Sequence, residues 1–433
     1  MNASCANGWT GGQYSVLRFA LGVYLLVQFA RFVPVPAEVL AGIGVLCGVS
    51  DSILHRFFPN ILLFWDSQAV VLAMLLAGVG SSALFALGVR DRVASLFLLY
   101  LGNSLFAMNP LISNSSMPFI GWILLAHAFV PRRPYGSWDA RGRVDPGAGW
   151  RMPAPIYTAG WIVLALGYAY SGATRLGVFS WADGGALLQA LIDPLAEGNP
   201  LGDLALHSPE LSAFATWVVL ALEIGFAPLA ILPKVRPWLW LALLGMQLSL
   251  MALGQSEESA AGMVVLHFFI FDPAWVKRAS GERPATMFYD SGCGLCHRAV
   301  RFVAAEDRDG VCFRFAPLKG DAFAALRESS TRAEMLDQID SIVLSLPDGR
   351  LLVRASAVLE IGKRLGGIWR AAAIAAGVVP LRVLDAGYDW VARIRHRIFA
   401  KPPDACPILP AGRDADREFD PSRPTQFHDD EAI

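Results

Sequence analysis

The chain has 433 residues, of which 55% are hydrophobic and 17% are charged, and its formal net charge is −1 at pH 7. Soluble proteins carry about 25% charged residues, so much of this chain is expected to lie in lipid. A near-neutral chain gives no case for nucleic-acid binding, which needs a basic face, and six cysteines in this length exclude a disulfide scaffold.

Long apolar runs over residues 1–280 predict a polytopic α-helical membrane bundle. A spanning helix needs about 20 mostly apolar residues, and about eight runs approach that length. The range is seven to nine, because the apolar stretch 36–48 is short and is re-entrant, interfacial or a further span. The predicted spans are 15–33, 68–89, 93–109, 117–131, 155–172, 212–233, 237–254 and 260–276.

Basic residues alternate between the predicted loops. Arg90 and Arg92 follow the second span and Lys277 follows the last, whereas loops 110–116 and 255–259 contain neither Lys nor Arg. Cytoplasmic loops are enriched in Lys and Arg. The alternation therefore predicts a multi-pass protein of a bacterial-type inner membrane, with its C-terminal domain in the cytoplasm.

Several polar side chains fall at membrane depth within the predicted spans. Such groups are costly in lipid and often functional, although each alone is also explained by helix–helix hydrogen bonding or snorkelling. As a set they predict a polar cavity within the bundle. These residues are Arg18, Asp66, Glu223, Gln247 and His267.

The membrane half resembles a known family. Residues 168–176 (Tyr-Ala-Tyr-Ser-Gly-Ala-Thr-Arg-Leu) and 181–184 (Trp-Ala-Asp-Gly) are similar to motifs of the horizontally transferred transmembrane domain. Leu17-Arg-Phe, Glu223-Ile-Gly and Phe271-Asp-Pro also fit its pattern. The resemblance covers roughly residues 10–280 and implies a relationship to vitamin K-dependent gamma-carboxylase.

Two departures from that family change the expected chemistry. The family usually carries Lys where this chain has Arg175, and the carboxylase uses that lysine as a base. A guanidinium stays protonated, so Arg175 can hold an anion or a carbonyl oxygen but is a poor base. Gln247 replaces the family's typical His. The resemblance thus implies a ligand site with Arg175, Glu223 and Gln247, for which a quinone is the candidate cofactor.

A dithiol motif follows the membrane half. The apolar strand 285–289 leads through a turn to Cys293-Gly-Leu-Cys296, which opens a predicted helix. Cys296, Val300 and Val303 share one helix face, which should pack on a sheet, whereas Cys293 should lie nearer to solvent.

This position predicts redox chemistry. Free amides and the helix dipole stabilise a thiolate at a helix N-terminus. Cys293 is therefore the predicted attacking thiol and Cys296 the predicted resolving thiol. His297 would add positive charge, and Asp290 would relay a proton or cap the first turn.

The C-terminal half resembles a second family more specifically. Residues 290–296 (Asp-Ser-Gly-Cys-Gly-Leu-Cys) match the Asp-x-x-Cys-x-x-Cys signature of the DCC family of thiol-disulfide oxidoreductases. Motifs such as Phe-Ala-Pro-Leu at 315–318 and Leu-Gly-Gly-Ile-Trp at 365–369 follow in family order. The resemblance spans about 284–408. It implies a small α/β thioredoxin-like domain whose dithiol requires no cofactor.

Two metal-based interpretations of the Cys293–Cys296 motif, a haem c attachment site and a zinc site, are disfavoured. Cys-x-x-Cys-His at 293–297 is also the attachment pattern for haem c, but that attachment occurs on the outer side of the membrane. Structural zinc needs a second close pair of ligands, which the sequence lacks. We therefore predict no metal. Of the remaining cysteines, Cys312 is expected to be an inert strand thiol and Cys406 a third redox partner or a surface thiol; the others are Cys5 and Cys47.

The sequence thus predicts a membrane domain over 1–280, a DCC thioredoxin-like domain over 281–410 and a polar disordered tail over 411–433. The predicted function is that of a membrane-tethered thiol-disulfide oxidoreductase. Its partners would be membrane lipid and a protein or small-molecule thiol or disulfide. Two alternatives stay open: a membrane enzyme acting on a quinone or lipid, with the dithiol supplying or sensing redox state, and a redox-sensing membrane scaffold.

A basic, aromatic-rich stretch over residues 382–401 predicts an amphipathic helix near the end of the domain. Such a helix either lies on the anionic cytoplasmic surface or packs as an ordinary terminal helix with a solvated basic face. The sequence does not decide between the two.

Overall fold

The computed structural model describes residues 7–35, 59–65, 67–106, 115–192, 200–254, 257–278, 283–307, 309–329 and 342–398. Several of the sequence predictions fall elsewhere in the chain. The stretch 36–48, the tail 411–433, Asp66, Cys5, Cys47 and Cys406 lie outside the described residues.

A helix occupies the position of each predicted span, so the predicted placement of apolar helices is confirmed. Three short helices connect the fifth of these long helices to the sixth. The helices of this half are α1 Gly11–Ala30, α2 Gln68–Leu87, α3 Asp91–Phe106, α4 Met117–His127, α5 Ala154–Leu176, α6 Phe179–Ala182, α7 Ala186–Leu191, α8 Pro200–Leu206, α9 Pro209–Ala230, α10 Arg236–Ala252 and α11 Glu257–Ile270.

The predicted count of about eight spans is not supported. Among the described residues, three helices are long and apolar enough to cross a membrane: α1, α2 and α9. The others fall short because of length or composition. With 11 residues in α4 and 14 in α11, neither approaches the roughly 20 that a span needs.

Helix α1 is apolar on its exposed face as well as on its buried face. Leu17, Leu21 and Leu25 are buried, while Phe19 and Val23 on the other side are exposed. A helix facing water would place polar residues at those exposed positions. An apolar outer face on a long helix is typical of contact with lipid.

The loops that carry the basic residues lie together at one end of the bundle, which we call the basic end. Trp9 Nε1 donates a hydrogen bond of 2.8 Å to the Phe271 carbonyl, which joins the start of α1 to the end of α11. The Asp139 amide donates to the Gly88 carbonyl at 3.2 Å, which joins the α4–α5 loop to the α2–α3 loop. The predicted alternation of loop charge therefore corresponds to one physical end of the bundle.

The C-terminal half contains a small mixed sheet with strand order β2-β1-β3-β4. The central strand β1 pairs in parallel with β2 and antiparallel with β3, which pairs antiparallel with β4. A hairpin joins β3 to β4, where the Leu346 amide donates to the Arg350 carbonyl at 2.9 Å across a turn with Gly349 at φ +82°. The elements are β1 Ala285–Tyr289, α12 Gly294–Glu306, β2 Phe313–Pro317, α13 Asp321–Ser329, β3 Val343–Ser345, β4 Leu351–Val353, α14 Arg354–Leu365, α15 Gly367–Ala376 and α16 Leu381–Ile398.

Alternation along β1 creates two apolar layers. Met287 faces the layer formed with α12 and α14, whereas Phe288 faces the layer formed with α13. Successive side chains of a strand point to opposite faces, so one short strand supports both layers.

The sheet domain contacts the basic end through the end of α12 and the start of α15. Glu306 is 1% exposed and accepts hydrogen bonds from the Gly12 amide at 2.8 Å and from the Thr10 hydroxyl at 2.5 Å. Trp369 Nε1 donates to the same carboxylate at 2.6 Å. The helix that begins at the dithiol thus ends against the first turn of α1.

Candidate functional site

A tight turn after β1 positions the first cysteine. The Asp290 carboxylate accepts from the Gly292 amide at 2.9 Å, and the Asp290 carbonyl accepts from the Cys293 amide at 3.2 Å. The Cys293 thiol itself occupies the N-cap position of α12, where its sulfur accepts from the Cys296 amide at 3.4 Å. Asp290 therefore shapes the turn, and the thiol takes the place that a Ser, Thr or Asp oxygen has in most helices.

Both thiols are free and buried, at 1% exposure for Cys293 and 3% for Cys296. The prediction that Cys293 lies nearer to solvent is wrong. Both sulfurs belong to the apolar layer between the sheet and α12. The late helix α16 also packs on α12 and places Arg395, itself buried, near Cys296.

Burial makes the second thiol, Cys296, less acidic than an ordinary cysteine. Loss of solvent and the neighbouring Cys293 thiol raise the pKa of Cys296 to about 12, against a smaller opposite effect of the Arg395 guanidinium. A thiol with that pKa stays protonated near neutral pH, and only a thiolate is an effective nucleophile. Cys296 is therefore suited to a step that follows an attack by another thiol.

His297 lies beside the same turn. Its Nε2 is 3.0 Å from the Ser291 carbonyl, and its ring meets the Tyr289 ring edge-on, with centroids 6.0 Å apart. The carbonyl holds the imidazole next to the residues that position Cys293. Its predicted electrostatic role stays a prediction.

The remaining described cysteine, Cys312, lies just before β2 and is half-buried. Its sulfur is 3.7 Å from the Arg278 guanidinium. Burial, with the Asp307 carboxylate adding to it, raises the pKa of Cys312 to about 11. Within the described ranges, no three His, Cys, Asp or Glu side chains are grouped as metal ligands would be.

Of the membrane residues that the sequence singled out, Arg175, Glu223 and Gln247 line one cavity of about 880 Å³. Arg175 and Glu223 form an ion pair of 2.5 Å there, and Arg175 also lies 4.1 Å from the centre of the Trp181 ring. Most of the lining is apolar. Glu223 Oε2 is buried without a hydrogen-bond partner among the described residues.

A hydrogen-bonded chain continues from Gln247 into the bundle. Gln247 Nε2 donates to the Tyr168 hydroxyl at 3.1 Å, and that hydroxyl is 3.2 Å from His267 Nε2. His267 Nδ1 lies 2.6 Å from the Met263 carbonyl, so Nδ1 carries the proton and Nε2 accepts from Tyr168. Sequence reasoning missed Tyr168 as a site residue; the available signal was a hydroxyl within the motif next to Arg175.

The structure does not bring the dithiol and the cavity together. The sheet domain contacts the basic end of the bundle, near the start of α5, whereas Arg175 lies at the far end of this 23-residue helix. Eighteen residues of helix separate Tyr157 from Arg175, which corresponds to roughly 27 Å. Any connection between the two sites must pass through the bundle.

Residues 287–401 match the family model for DCC1-like thiol-disulfide oxidoreductase. The chain is 30% identical over 115 residues to the uncharacterised protein YuxK of Bacillus subtilis, a match that covers 27% of this chain and 80% of that protein. It is 33% identical over 138 residues to a chloroplastic DCC family protein of Arabidopsis thaliana, covering 31% of this chain and 77% of that protein. No solved structure matches. The resemblance of residues 10–280 to the horizontally transferred transmembrane domain stays a prediction.

Proposed function

This chain belongs to the DCC family of thiol-disulfide oxidoreductases, and from that premise we propose that it is a membrane-tethered oxidoreductase whose working dithiol is Cys293 and Cys296. The observation that carries the proposal is the Cys293 sulfur at the N-cap of α12, where it accepts a backbone hydrogen bond at 3.4 Å. An amide donor and the positive end of a helix dipole stabilise negative charge that develops on a sulfur at that position during thiol-disulfide exchange.

The reaction is a two-step exchange that moves two electrons. The Cys293 thiolate attacks one sulfur of a substrate disulfide, forming a mixed disulfide and releasing the other sulfur as a thiolate that takes up a proton. Cys296 then loses its proton and attacks the Cys293 sulfur. This step closes the Cys293–Cys296 disulfide and releases the second substrate thiol. A thiol donor, protein or small molecule, returns the dithiol to its reduced form.

The second step needs a proton acceptor, because burial keeps Cys296 protonated. Asp290 is the proposed acceptor, since its carboxylate lies in the turn that positions Cys293. His297 is proposed to stabilise the charge on Cys293 through the positive form of its ring. The redox state of the compartment sets the direction of electron transfer. A cytoplasmic location favours a Cys293–Cys296 pair that is mostly reduced at rest.

Membrane tethering and sidedness rest on the first half of the chain. Three helices are long and apolar enough to span, and the basic end of the bundle carries the sheet domain. The positive-inside rule favours the cytoplasm for that end. We therefore propose that the dithiol faces the cytoplasm.

Trapping of a mixed disulfide tests this function. The full chain, reconstituted in phospholipid nanodiscs, is mixed with glutathione disulfide. Cys296→Ser should accumulate a glutathione adduct at Cys293, Cys293→Ser should accumulate none at Cys296, and Cys312→Ser should behave as the unmodified chain. Absence of both the adduct and an intramolecular disulfide would refute the oxidoreductase. An intramolecular disulfide that forms without catalytic reduction of the substrate would favour the redox-sensing scaffold.

A second function is favoured by one specific observation, the 880 Å³ cavity with Arg175, Glu223 and Gln247 on its wall. An apolar space with a few convergent polar groups is typical of a ligand site. The candidate ligand is a quinone or lipid, whose head group Arg175 would hold while the dithiol supplies or senses electrons. Titration of the full chain with a short-chain quinone, followed by tryptophan quenching, tests it. If Arg175→Ala binds the quinone as tightly as the unmodified chain does, this second function is refuted.

A further inference from the structure

An exposed apolar surface covers the bend between α15 and α16. Val378 is 84% exposed, Val383 60% and Trp390 58%. Exposed apolar side chains scattered singly are normal, but a contiguous group marks an interaction site. We call this group the bend surface; its apolar members are Ile374, Val378, Val379, Leu381, Val383, Trp390 and Val391.

The exposed charges of α16 next to the bend surface are mostly basic. Arg382 and Arg393 are exposed. Of the acidic residues, Asp385 is half-buried and accepts from the Ala355 amide at 3.1 Å, and Asp389, whose side chain is 43% exposed, pairs with Arg354 at 3.4 Å. The outward charge of the bend surface is therefore positive.

Hydrogen bonds fix the start of α15 to the basic end of the bundle. The Gly367 amide donates to the Val276 carbonyl at 3.0 Å, and the Arg370 guanidinium donates to the Lys277 carbonyl at 2.6 Å. Val276 follows α11 by only a few residues, so α15 begins at the basic end, at the edge of the apolar helices. Its 10 residues extend about 15 Å from there.

A spanning or re-entrant arrangement does not fit this geometry. The two helices are apolar enough together to form a span, but they bend by 113°. The inner side of α16 packs on α12 and α14, which hold it within the sheet domain. A length of about 15 Å for α15 is half of the roughly 30 Å hydrocarbon core.

We propose that the bend surface binds the anionic lipid surface next to the bundle, with its valines in the interface and Arg382 and Arg393 at lipid phosphates. An apolar face flanked by basic residues is the recognition pattern of interfacial helices. The proposal rests on the proposed membrane tethering. It also combines the two interpretations of residues 382–401, because α16 would pack on the domain with one face and meet lipid with the other.

Photocrosslinking of the full chain tests the proposal. Benzoylphenylalanine replaces Val378 in one variant and, as a matched control, the exposed Val311 in another. A third variant places it at Phe19, on the outer face of α1. Each is irradiated in vesicles of phosphatidylcholine with about one third phosphatidylglycerol, and the mass of the chain is measured. A phospholipid adduct is expected at positions 378 and 19 but not at 311.

The three positions separate the possible failures. An adduct at 19 without one at 378 would overturn the lipid assignment alone, and no adduct at either would overturn the tethering. A cross-link between two chains at 378 would show that a second copy occupies the bend surface instead. Arg382→Glu should lower the yield at 378 roughly five-fold in these vesicles and much less in pure phosphatidylcholine. An unchanged yield would show that Arg382 does not contribute to binding of anionic lipid.

Discussion

Burial of Cys296 sets the pH at which this thiol reacts. Burial and the Cys293 thiol raise its pKa to about 12. In Cys293→Ser the second cause is removed, but burial still raises the pKa. Iodoacetamide labelling of Cys296 in this variant should therefore stay slow at pH 8 and rise steeply above pH 10, as followed by peptide mass. Labelling at pH 8 as fast as that of free cysteine, with a pKa of about 8.5, would show that the site is open to solvent.

A single buried carboxylate joins the dithiol helix to the bundle. Burial raises the pKa of Glu306, although hydrogen bonds from Thr10 and Trp369 oppose that shift. The folded chain therefore holds the proton more tightly than the unfolded chain. This group's contribution to stability is fully present below the unfolded pKa and is lost as pH rises through the folded pKa.

The expected result is a melting temperature of the full chain that falls as pH rises above about 4.5 through the folded pKa of Glu306. Glu306→Gln removes this pH-dependent component, because an amide does not titrate. It also leaves one of three donors unpaired, which costs about 1–3 kcal/mol. Glu328→Gln, on the exposed side of α13, is the matched control and should change neither quantity. An unaltered pH profile in Glu306→Gln would contradict this account.

At the level of elements, Gly88 ends α2 in a left-handed conformation, beside the buried guanidinium of Arg18. Gly88 has φ +73°, and a Cβ there would lie 2.6 Å from atoms of Arg18 and Ser137. Gly88→Ala should therefore lower the stability of the full chain by more than 1 kcal/mol, measured by thermal unfolding in detergent. Gly80→Ala within the same helix meets no atom within 4 Å and should be neutral or stabilising. Equal effects of the two changes would show that the close approach does not matter.

Local patterns were sufficient to place most elements. Apolar runs located the helices, and the strand, turn and Cys-x-x-Cys order located β1 and α12, because each depends on neighbours in sequence. Features that depend on distant segments were not accessible. Arg395 lies near Cys296 only because α16, about 100 residues further on, packs on α12, and the ion pair of Arg175 joins residues 48 apart. The lengths of the helices could not be predicted from the sequence either, since several apolar runs continue past the last helical residue.

Across the whole molecule, α16 connects two surfaces with different partners. Its outer side carries the bend surface, and its inner side places Arg395 near Cys296. The start of α15 is fixed to the basic end, so lipid contact along the bend surface would hold α16 in its packed position on α12. A ligand that binds the packed arrangement stabilises it against opening.

Access to Cys293 should therefore depend on lipid charge. Because the Cys293 sulfur is 1% exposed, its alkylation by a bulky maleimide requires the site to open, and we expect α16, which packs on α12, to be the element that moves. We expect the rate in full-length Cys296→Ser to be several-fold lower in nanodiscs with anionic lipid than in phosphatidylcholine alone, and to recover in anionic nanodiscs when Arg382 and Arg393 are replaced by Gln. Val311→Cys, labelled in parallel, reports any effect of lipid on the maleimide itself. Faster alkylation in anionic nanodiscs would mean that the bilayer pulls α16 away from α12, so that lipid would open the site instead of closing it.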